Sequence, residues 1–258
     1  MPQNKLPNTE VEQNFHSHVI QWSDLHVSRL WDYYSKNKSY DHQYFSFQAG
    51  AHVLDYVRSH IDLDRQIHIL DYGCGPGFLI QSLISRLKKG QICYGLDFSK
   101  DSVSAVERRF KDHPRYGGSH HVETLPSPYR DESMEVIFVL DVIEHLNDAY
   151  LTEMILESRR LLKPGGYVVV TTRNHEDLEA EKTMCPECGC IFHRWQHMRI
   201  WTPKSLPDAF SAHGFKTRHI HATNFSIPYQ RLLKILFLFK GFPLKRSNLI
   251  YVGQKEAI

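Results

Sequence analysis

Residues 69–77 read ILDYGCGPG, and residues 78–84 continue as FLIQSLI. The apolar run at 67–70 ends in Asp71, three glycines then alternate with other residues, and an amphipathic pattern follows. This order is typical of a β-strand, a tight turn and the beginning of an α-helix. Glycine allows the backbone to approach a ligand closely, and the first N–H groups of a helix have no partner within the helix. The sequence therefore predicts a ligand-binding turn at 73–77.

The next predicted strand, 91–96, is also followed by an acidic residue, Asp97. Asp97 follows Gly73 by 24 positions, close to the offset of about 20 residues at which Rossmann-type folds place a ribose-binding carboxylate. An ionised carboxylate accepts hydrogen bonds from both ribose hydroxyls. The alternative is that Asp97 caps the following helix, a role that Ser99 or Asp101 can also fill. We therefore predict that Asp97 binds the ribose of a nucleoside ligand.

Strands and helices alternate through the rest of the chain. The helix after the glycine turn is predicted to extend to Lys88–Lys89 and to stop at Gly90, because cations followed by glycine are typical of a helix C-terminus. Apolar runs predict strands at 120–125, 136–140, 167–172 and 249–253, and helical spacing predicts helices at 101–110, 150–162 and 203–213. Strands that alternate with helices imply a parallel, doubly wound sheet.

Four blocks of sequence together resemble the class I S-adenosylmethionine (SAM) methyltransferases, in particular the group that contains ubiquinone-biosynthesis methyltransferases. The dinucleotide pattern GxGxxG would need a glycine where this chain has Phe78, so the turn departs from that pattern. The resemblance implies an α/β, Rossmann-like, doubly wound seven-stranded sheet whose last strand is antiparallel. It also implies a methyltransferase domain at 61–258, preceded by an N-terminal helical cap at 1–60. The four blocks are the GxGxG turn, LPSPYRDESMEVIFVLDVIEHL (125–146), LLKPGG (161–166) and YVVVTTRN (167–174).

The resemblance assigns a SAM-binding role to residues along these blocks. The glycines of the turn would approach the methionine and ribose part of SAM, while Asp71 and Asp97 would hold its amino-acid end and its ribose. The family commonly has Gly-Asp-Ala near the adenine, whereas this chain has HHVET at 120–124, so Glu123 or Thr124 is the candidate there. The candidate cofactor-binding residues are Asp71, Gly73, Gly75, Gly77, Asp97, Phe98, Glu123, Thr124 and Asp141.

Asp141, Glu144 and His145 follow the predicted strand at 136–140 and are the candidate catalytic residues. Their spacing is similar to a Glu-x-x-Glu-His pattern that binds a divalent ion in some ubiquinone-pathway and small-RNA 2′-O-methyltransferases. There the metal orients the accepting hydroxyls and lowers their pKa. The alternatives are a helix-capping Glu-His pair and a general-base role for His145. A further metal ligand would come from one of three histidines that folds back, His175, His193 or His197.

A cysteine- and histidine-rich insertion at 175–200 is not needed by the methyltransferase fold. Its centre, 185–197, reads CPECGCIFHRWQH and combines Cys-x2-Cys with His-x3-His. Two thiolates from a tight knuckle and two imidazoles from one helical face would suit Zn²⁺, which accepts mixed sulfur and nitrogen ligands. The alternative is a set of free thiols, with the histidines packing or touching substrate. The predicted structural zinc ligands are Cys185, Cys188, His193 and His197, with Cys190 able to replace one histidine.

Aromatic residues are concentrated between Phe15 and His60, and helical spacing over 47–61 predicts a helix that leads into the first strand. The simpler interpretation is that these aromatic side chains form the core of the helical cap. The alternative is that a few of them wall the substrate pocket, because the cap would lie over the carboxyl ends of the strands. They are Trp22, Trp31, Tyr33, Tyr34, Tyr40, Tyr44, Phe45 and Phe47.

The segment 229–246, YQRLLKILFLFKGFPLKR, combines an apolar body with basic residues. It is shorter than the roughly 20 apolar residues that span a bilayer. One interpretation is a buried helix between the last two strands. The other is a lid or interfacial element at 225–246 that meets a membrane surface or a lipid-linked substrate.

The composition of the chain argues against some partners and cellular locations. A net charge of +2 without a basic stripe disfavours a nucleic-acid partner. The N-terminus lacks the apolar core of a signal peptide, and five cysteines, three of them clustered, are unlike a secreted disulfide framework. We therefore predict a cytoplasmic protein, with peripheral membrane contact through 229–246 as an extension of that prediction.

The sequence thus predicts a SAM-dependent methyltransferase that acts on an oxygen or nitrogen of a small-molecule, sugar-linked or lipid-linked acceptor. The predicted cofactors are SAM and a structural Zn²⁺. One alternative is a metal-assisted RNA 2′-O-methyltransferase that uses the Asp-Glu-His group. Another is a non-catalytic SAM-binding scaffold protein, with the zinc loop as its docking element.

Overall fold

The computed structural model of the chain describes residues 15–65, 67–225 and 246–256. The α-helices are α1 (Asp24–Lys36), α2 (Phe45–Val57), α3 (Phe78–Ile84), α4 (Lys100–Phe110), α5 (Asp148–Leu161) and α6 (Ser205–Ser211). The strands are β1 (His18–Val19), β2 (His68–Tyr72), β3 (Ile92–Asp97), β4 (Tyr116–His121), β5 (Met134–Leu140), β6 (Leu162–Arg173), β7 (Lys182–Met184), β8 (Cys190–His193), β9 (Phe215–Thr223) and β10 (Asn248–Lys255). Two short 3₁₀ helices lie at Lys38–Gln43 and Leu63–Arg65.

The main sheet has seven strands in the order β4-β3-β2-β5-β6-β10-β9. The first five strands are parallel to their neighbours, whereas β10 is antiparallel to both β6 and β9. The predicted Rossmann-like sheet with an antiparallel last strand is therefore confirmed. Because β2, β3 and β5 run in the same direction, their carboxyl ends meet at one edge of the sheet, which is where such folds bind ligands.

The side chains of β5 alternate between two hydrophobic cores, one on each face of the sheet. Val136, Phe138 and Leu140 pack on the face covered by α2, α3 and α4. Ile137 and Val139 pack on the opposite face, against α5 and α6. Burial on both faces explains why the sequence of this strand is a continuous apolar run. The sheet is covered on both sides and is therefore doubly wound.

Several element boundaries differ from the prediction. Helix α3 ends at Ile84 rather than near Lys88–Lys89. Strand β6 begins at Leu162 rather than at 167. Strand β4 spans Tyr116–His121 rather than 120–125, so it includes the glycine pair at 117–118. A Cβ on Gly117 would lie 2.2 Å from Cε1 of Tyr94 on the neighbouring strand β3, so this glycine is required by cross-strand packing rather than by a turn.

The insertion forms a small second sheet, which no sequence pattern indicated. Its order is β1-β8-β7, with β1 parallel and β7 antiparallel to β8. Because β1 precedes α1, this sheet ties the beginning of the described chain to the insertion.

The apolar–basic segment at 229–246 lies outside the described residues apart from Arg246. None of the helices within the described ranges has both the length and the apolar character needed to cross a membrane.

Candidate active site

A cavity of about 610 Å³ lies at the carboxyl ends of the parallel strands. This volume is within the range of about 300–1,000 Å³ that is typical of small-molecule sites. The glycine turn, the ends of β3 and β4, the loop after β5, the region around α1 and the insertion all contribute to its walls. Most of the residues predicted to bind SAM and to act on the acceptor therefore face one shared space, whereas Asp71, Gly77 and Glu144 do not line it.

The glycine turn has the conformation that its sequence predicts. Gly73, Gly75 and Gly77 have φ values of 78°, 48° and 84°, a region that residues with a Cβ rarely adopt. Gly73 and Gly75 line the cavity. Gly77 does not: it precedes α3, and a Cβ there would lie 2.9 Å from Val106 of α4. Two of the three glycines thus expose backbone to a ligand, while the third allows the turn to pack against a helix.

Asp97 lies at the end of β3 and lines the cavity. Its Oδ2 accepts a hydrogen bond from the N–H of Gly75, and its Oδ1 accepts one from the N–H of Ser99, both at 2.8 Å. Burial raises the pKa of Asp97, and these two N–H groups act in the opposite direction. Ser99 also caps α4, accepting from the N–H of Ser102, so Asp97 is not needed for capping. A carboxylate that retains free lone pairs beside backbone glycine fits the ribose of SAM.

Asp71 occupies a different position from the one predicted. It is buried beneath the turn and does not line the cavity. Burial, followed by the nearby charge of Asp97, raises the pKa of Asp71 well above its ordinary value. Its link to the amino-acid end of SAM stays a prediction.

The predicted cofactor-binding residues Phe98, Glu123 and Thr124 all line the cavity. Phe98 is 51% exposed, so its ring is available to a ligand. His121 was not predicted to take part, although it lines the same wall and its Nε2 lies 2.9 Å from the carbonyl oxygen of Phe98. The sequence pointed to this stretch because HHVET at 120–124 differs from the Gly-Asp-Ala that the family commonly has near the adenine.

Aromatic residues of the predicted cap line the cavity as well. Trp31 and Tyr34 of α1 and Tyr44 before α2 face it. The Nε1–H of Trp31 donates to Oε1 of Gln196 at 3.0 Å, and the hydroxyl of Tyr34 donates to the carbonyl oxygen of Arg194 at 2.7 Å. The concentration of aromatic residues before the first strand indicated that some of them could form such a wall. No sequence pattern distinguished Tyr44 from the other aromatic residues or pointed to Gln196. The cap is thus joined to the insertion across the mouth of the site.

Asp141, Glu144 and His145 lie together in the loop after β5. Asp141 has φ 49° and its Oδ1 accepts a hydrogen bond from Oγ1 of Thr171 at 2.7 Å. Glu144 is completely buried, and neither of its carboxylate oxygens makes a hydrogen bond of good geometry with the described residues, although the nearby hydroxyl of Thr172 acts to lower its pKa. Nδ1 of His145 likewise has no well-formed hydrogen bond within the described part of the chain, although backbone groups of Gln196 and Asp141 act to raise the pKa of the ring. Buried polar atoms without partners are costly, so this group calls for a ligand.

Burial changes the ionisation of each of these residues. It raises the pKa of Asp141 to about 6 and that of Glu144 well above its ordinary value, with Asp141 as the second cause for Glu144. It lowers the pKa of His145 well below its ordinary value, helped by nearby His197. His145 is therefore neutral at pH 7, and its unprotonated ring is available as a base or as a metal ligand.

His197 folds back from the insertion to join Glu144 and His145. The ring centroids of His145 and His197 are 4.7 Å apart, and one ligand atom from each of the three residues lies within 4.8 Å of the others. A carboxylate and two neutral imidazoles form a donor set that suits divalent transition metals. A cation would also neutralise the buried carboxylate. The residues present therefore fit a divalent ion, while Asp141 lies outside this group of three.

The four predicted zinc ligands are not brought together. Cys185 and Cys188 lie in the turn between β7 and β8. Two groups of potential metal ligands are found among the described residues, Glu144–His145–His197 and Glu176–His193–His197, and neither contains a cysteine. His193 ends β8, and its Nδ1 accepts hydrogen bonds from the N–H groups of Trp195 and His197 at 3.3 and 3.1 Å. The structure therefore does not bring the four residues together as one site, and their binding of zinc stays a prediction.

The three clustered thiols differ in their chemistry. Backbone N–H groups of Cys188 and Glu187 lower the pKa of Cys185. Burial, followed by the neighbouring sulfurs of Cys188 and Cys185, raises the pKa of Cys190. The ability of Cys190 to replace a histidine ligand stays a prediction.

Substitution of Gly73 by alanine tests the close approach of the turn. A Cβ at Gly73 would lie 2.5 Å from Cγ2 of Val142 on the cavity wall. We expect a loss of about 1–2 kcal/mol for the left-handed backbone and a further loss of about 1–3 kcal/mol for overpacking, together with weaker SAM binding. Urea denaturation and SAM titration measure the two effects. Gly90→Ala is the matched control, because Gly90 has φ 89° but no atom within 4 Å of the added Cβ; equal losses in the two variants would contradict this account.

Known proteins that resemble this chain in sequence are methyltransferases, which agrees with the position of the predicted SAM-binding residues around one cavity. A family profile described as a methyltransferase domain matches residues 40–220. A demethylmenaquinone methyltransferase of Bacillus velezensis is 30% identical over 51% of this chain and 57% of that relative. A ubiquinone biosynthesis O-methyltransferase of Coxiella burnetii is 29% identical over 47% of this chain and 49% of that relative. The chain thus matches about half the length of these curated relatives.

A solved SAM-dependent methyltransferase of Methanosarcina mazei has the same fold. It superposes with a TM-score of 0.57 at 16% identity, over 79% of this chain and 98% of the other. The profile match covers more than half of the chain and includes the glycine turn, Asp97 and the Asp141–His145 loop. The chain therefore belongs to the class I SAM-dependent methyltransferase family.

Proposed function

We propose that this enzyme transfers the methyl group of SAM to an oxygen of a small-molecule acceptor, free or carried on a sugar or lipid, with the help of a divalent cation. One observation carries the proposal: a single cavity runs from Gly75 and Asp97 to His145 and His197. Donor and acceptor can therefore be held side by side, which is the main requirement of an in-line transfer.

The residues divide into two roles. Gly73, Gly75 and Asp97 would hold SAM, which supplies a methyl group activated by its sulfonium. Glu144, His145 and His197 would hold the cation, which lowers the pKa of an acceptor hydroxyl when bound. This cation position differs from the cysteine–histidine zinc site predicted from the sequence, with which it shares His197.

The aromatic wall supports an acceptor with an apolar or planar body. Trp31, Tyr34 and Tyr44 present flat, uncharged aromatic faces to the cavity. The hydrogen bonds from Trp31 to Gln196 and from Tyr34 to Arg194 join the cap to the insertion beside the site.

RNA 2′-O-methylation is the second candidate, and it is favoured by the Glu144–His145–His197 group. The cap covers the mouth of the cavity, and the net charge of +2 provides little attraction for a polyanion. A small acceptor is therefore favoured over RNA.

Incubation of the protein with methyl-labelled SAM and a fractionated cell extract tests the proposal. We expect label in the small-molecule fraction, lost after treatment with a chelator and restored by Mn²⁺ or Zn²⁺. Label in RNA would select the second candidate. Absence of label from every fraction, with SAM still bound, would contradict both and would favour a SAM-binding scaffold.

A further inference from the structure

Glu176 and His197 form a buried pair behind the proposed cation position. Oε2 of Glu176 lies 2.6 Å from Nδ1 of His197, and each side chain is only 9% exposed. Oε1 of Glu176 lies 3.8 Å from Nε of Arg173, which supplies a counter-charge for the carboxylate. Because an ionised carboxylate only accepts hydrogen bonds, Nδ1 of His197 must carry the proton of its neutral ring. The lone pair of His197 is thereby placed on Nε2.

His193 also contacts His197, through its ring and through a hydrogen bond. The rings of His193 and His197 stack with centroids 4.6 Å apart and planes 20° from parallel. Nδ1 of His193 accepts the backbone N–H of His197 itself, at 3.1 Å. The backbone, ring plane and tautomer of His197 are therefore all fixed before any ligand is bound.

Glu144 and His145 contribute three buried polar atoms that make no hydrogen bond of good geometry in the described part of the chain, namely both carboxylate oxygens of Glu144 and Nδ1 of His145. A ring nitrogen of His197 lies within 4.8 Å of a ligand atom from each of these two residues. His197 also belongs to a second group of potential ligands, with Glu176 and His193. Because the contact with Glu176 uses Nδ1 of His197, Nε2 is the ring nitrogen left for a ligand shared with Glu144 and His145.

We propose that Glu176 is a positioning residue that fixes the tautomer and orientation of His197 so that its Nε2 binds a divalent cation together with Glu144 and His145. Carboxylates that accept from the second nitrogen of a ligating histidine commonly raise metal affinity in this manner. The inference rests on the cation that the proposed function invokes, but it concerns metal binding rather than methyl transfer.

Titration of chelator-treated protein with Mn²⁺ and with Zn²⁺ tests this role. Glu176→Ala is expected to raise the Kd for the metal by roughly 10- to 100-fold, while SAM affinity stays unchanged. Glu176→Gln keeps a neutral acceptor of the same shape and is expected to lie between wild type and Glu176→Ala, which guards against a folding defect. Glu181→Ala is the matched control: Glu181 belongs to the same insertion and pairs with Arg194 at 2.9 Å, and its removal should leave metal affinity unaltered.

Nitrogen-15 NMR of the histidine rings gives a readout that does not need metal. In metal-free wild type, His197 is expected to show the Nδ1–H tautomer, and in Glu176→Ala a mixture of tautomers. An Nε2–H tautomer in wild type, unchanged metal affinity in Glu176→Ala, or a wild type that binds neither metal would each overturn the inference. If Glu176→Ala bound metal more weakly but no acceptor were methylated by the wild type, the positioning role would stand and the proposed function would be wrong. If the wild type methylated an acceptor but Glu176→Ala bound metal with unchanged affinity, the proposed function would stand and the positioning role would be wrong.

Discussion

Asp97→Ala is expected to raise the Kd for SAM by roughly a hundredfold or more, because a hydrogen bond to a charged acceptor contributes about 1.5–3 kcal/mol and a ribose offers two hydroxyls. The carboxylate lines the cavity and is already oriented by the N–H groups of Gly75 and Ser99. Its removal takes away the acceptor and also frees the glycine turn that it holds. Isothermal titration with SAM and with S-adenosylhomocysteine measures the effect.

Asp101→Ala is the control for the loss of a nearby carboxylate. Asp101 lies in the first turn of α4 and its side chain, which pairs with Lys36 at 2.8 Å, is half exposed. Its removal should leave SAM affinity unchanged. If Asp97→Ala folded normally and bound SAM as tightly as wild type, the assignment of the ribose to Asp97 would be wrong.

His197→Ala is expected to reduce turnover by roughly a hundredfold to a thousandfold, because a bound cation contributes several kcal/mol to charge stabilisation during transfer. SAM affinity should be retained, since His197 lies at the acceptor end of the cavity and not at the glycine turn. Single-turnover rates with labelled SAM, and SAM titration in parallel, separate the two effects.

His175→Asn provides the comparison for this variant. His175 is exposed, has φ 48° and belongs to neither group of potential metal ligands; asparagine tolerates that backbone conformation well. We expect wild-type turnover from His175→Asn. Equal losses in the two variants would indicate that the insertion supports the fold and not the chemistry.

The donor side of the site was predictable because its information is local. A strand, a glycine turn and a helix N-terminus are encoded within residues 69–84, and Asp97 follows at a fixed offset set by one helix and one strand. Gly77 and Asp71 show the limit of such patterns. The sequence places them in the motif, but packing against Val106 and burial beneath the turn decide that neither lines the cavity.

The acceptor side was only partly predictable because it depends on contacts between distant segments. Asp141, Glu144 and His145 were identified from their spacing, and His197 was named both as a zinc ligand and as a histidine that folds back to this group. The pairing of His193 and His197 with Cys185 and Cys188 followed sequence proximity, whereas the structure groups the two histidines with Glu176 and places His197 beside Glu144 and His145. Glu176 carries no motif, so only its 2.6 Å contact with His197 reveals it.

The cap illustrates the same limit. Aromatic density before the first strand indicated either a core or a wall, and composition alone could not separate the two. In the structure, Trp31, Tyr34 and Tyr44 form part of the cavity wall, because α1 lies across the carboxyl ends of the strands and forms hydrogen bonds with the insertion. Of these three residues, Tyr34 alone is also classed with the buried core, so it fits both interpretations.

The central claim is that one cavity holds the methyl donor at Asp97 and a divalent cation at Glu144, His145 and His197. A crystal grown with S-adenosylhomocysteine and Mn²⁺, measured at the manganese absorption edge, tests both halves at once. We predict an anomalous peak bounded by Glu144, His145 and His197, with the ribose of the nucleoside against Asp97. A peak at Cys185 and Cys188, or an ordered nucleoside with no peak beside His197, would contradict the account.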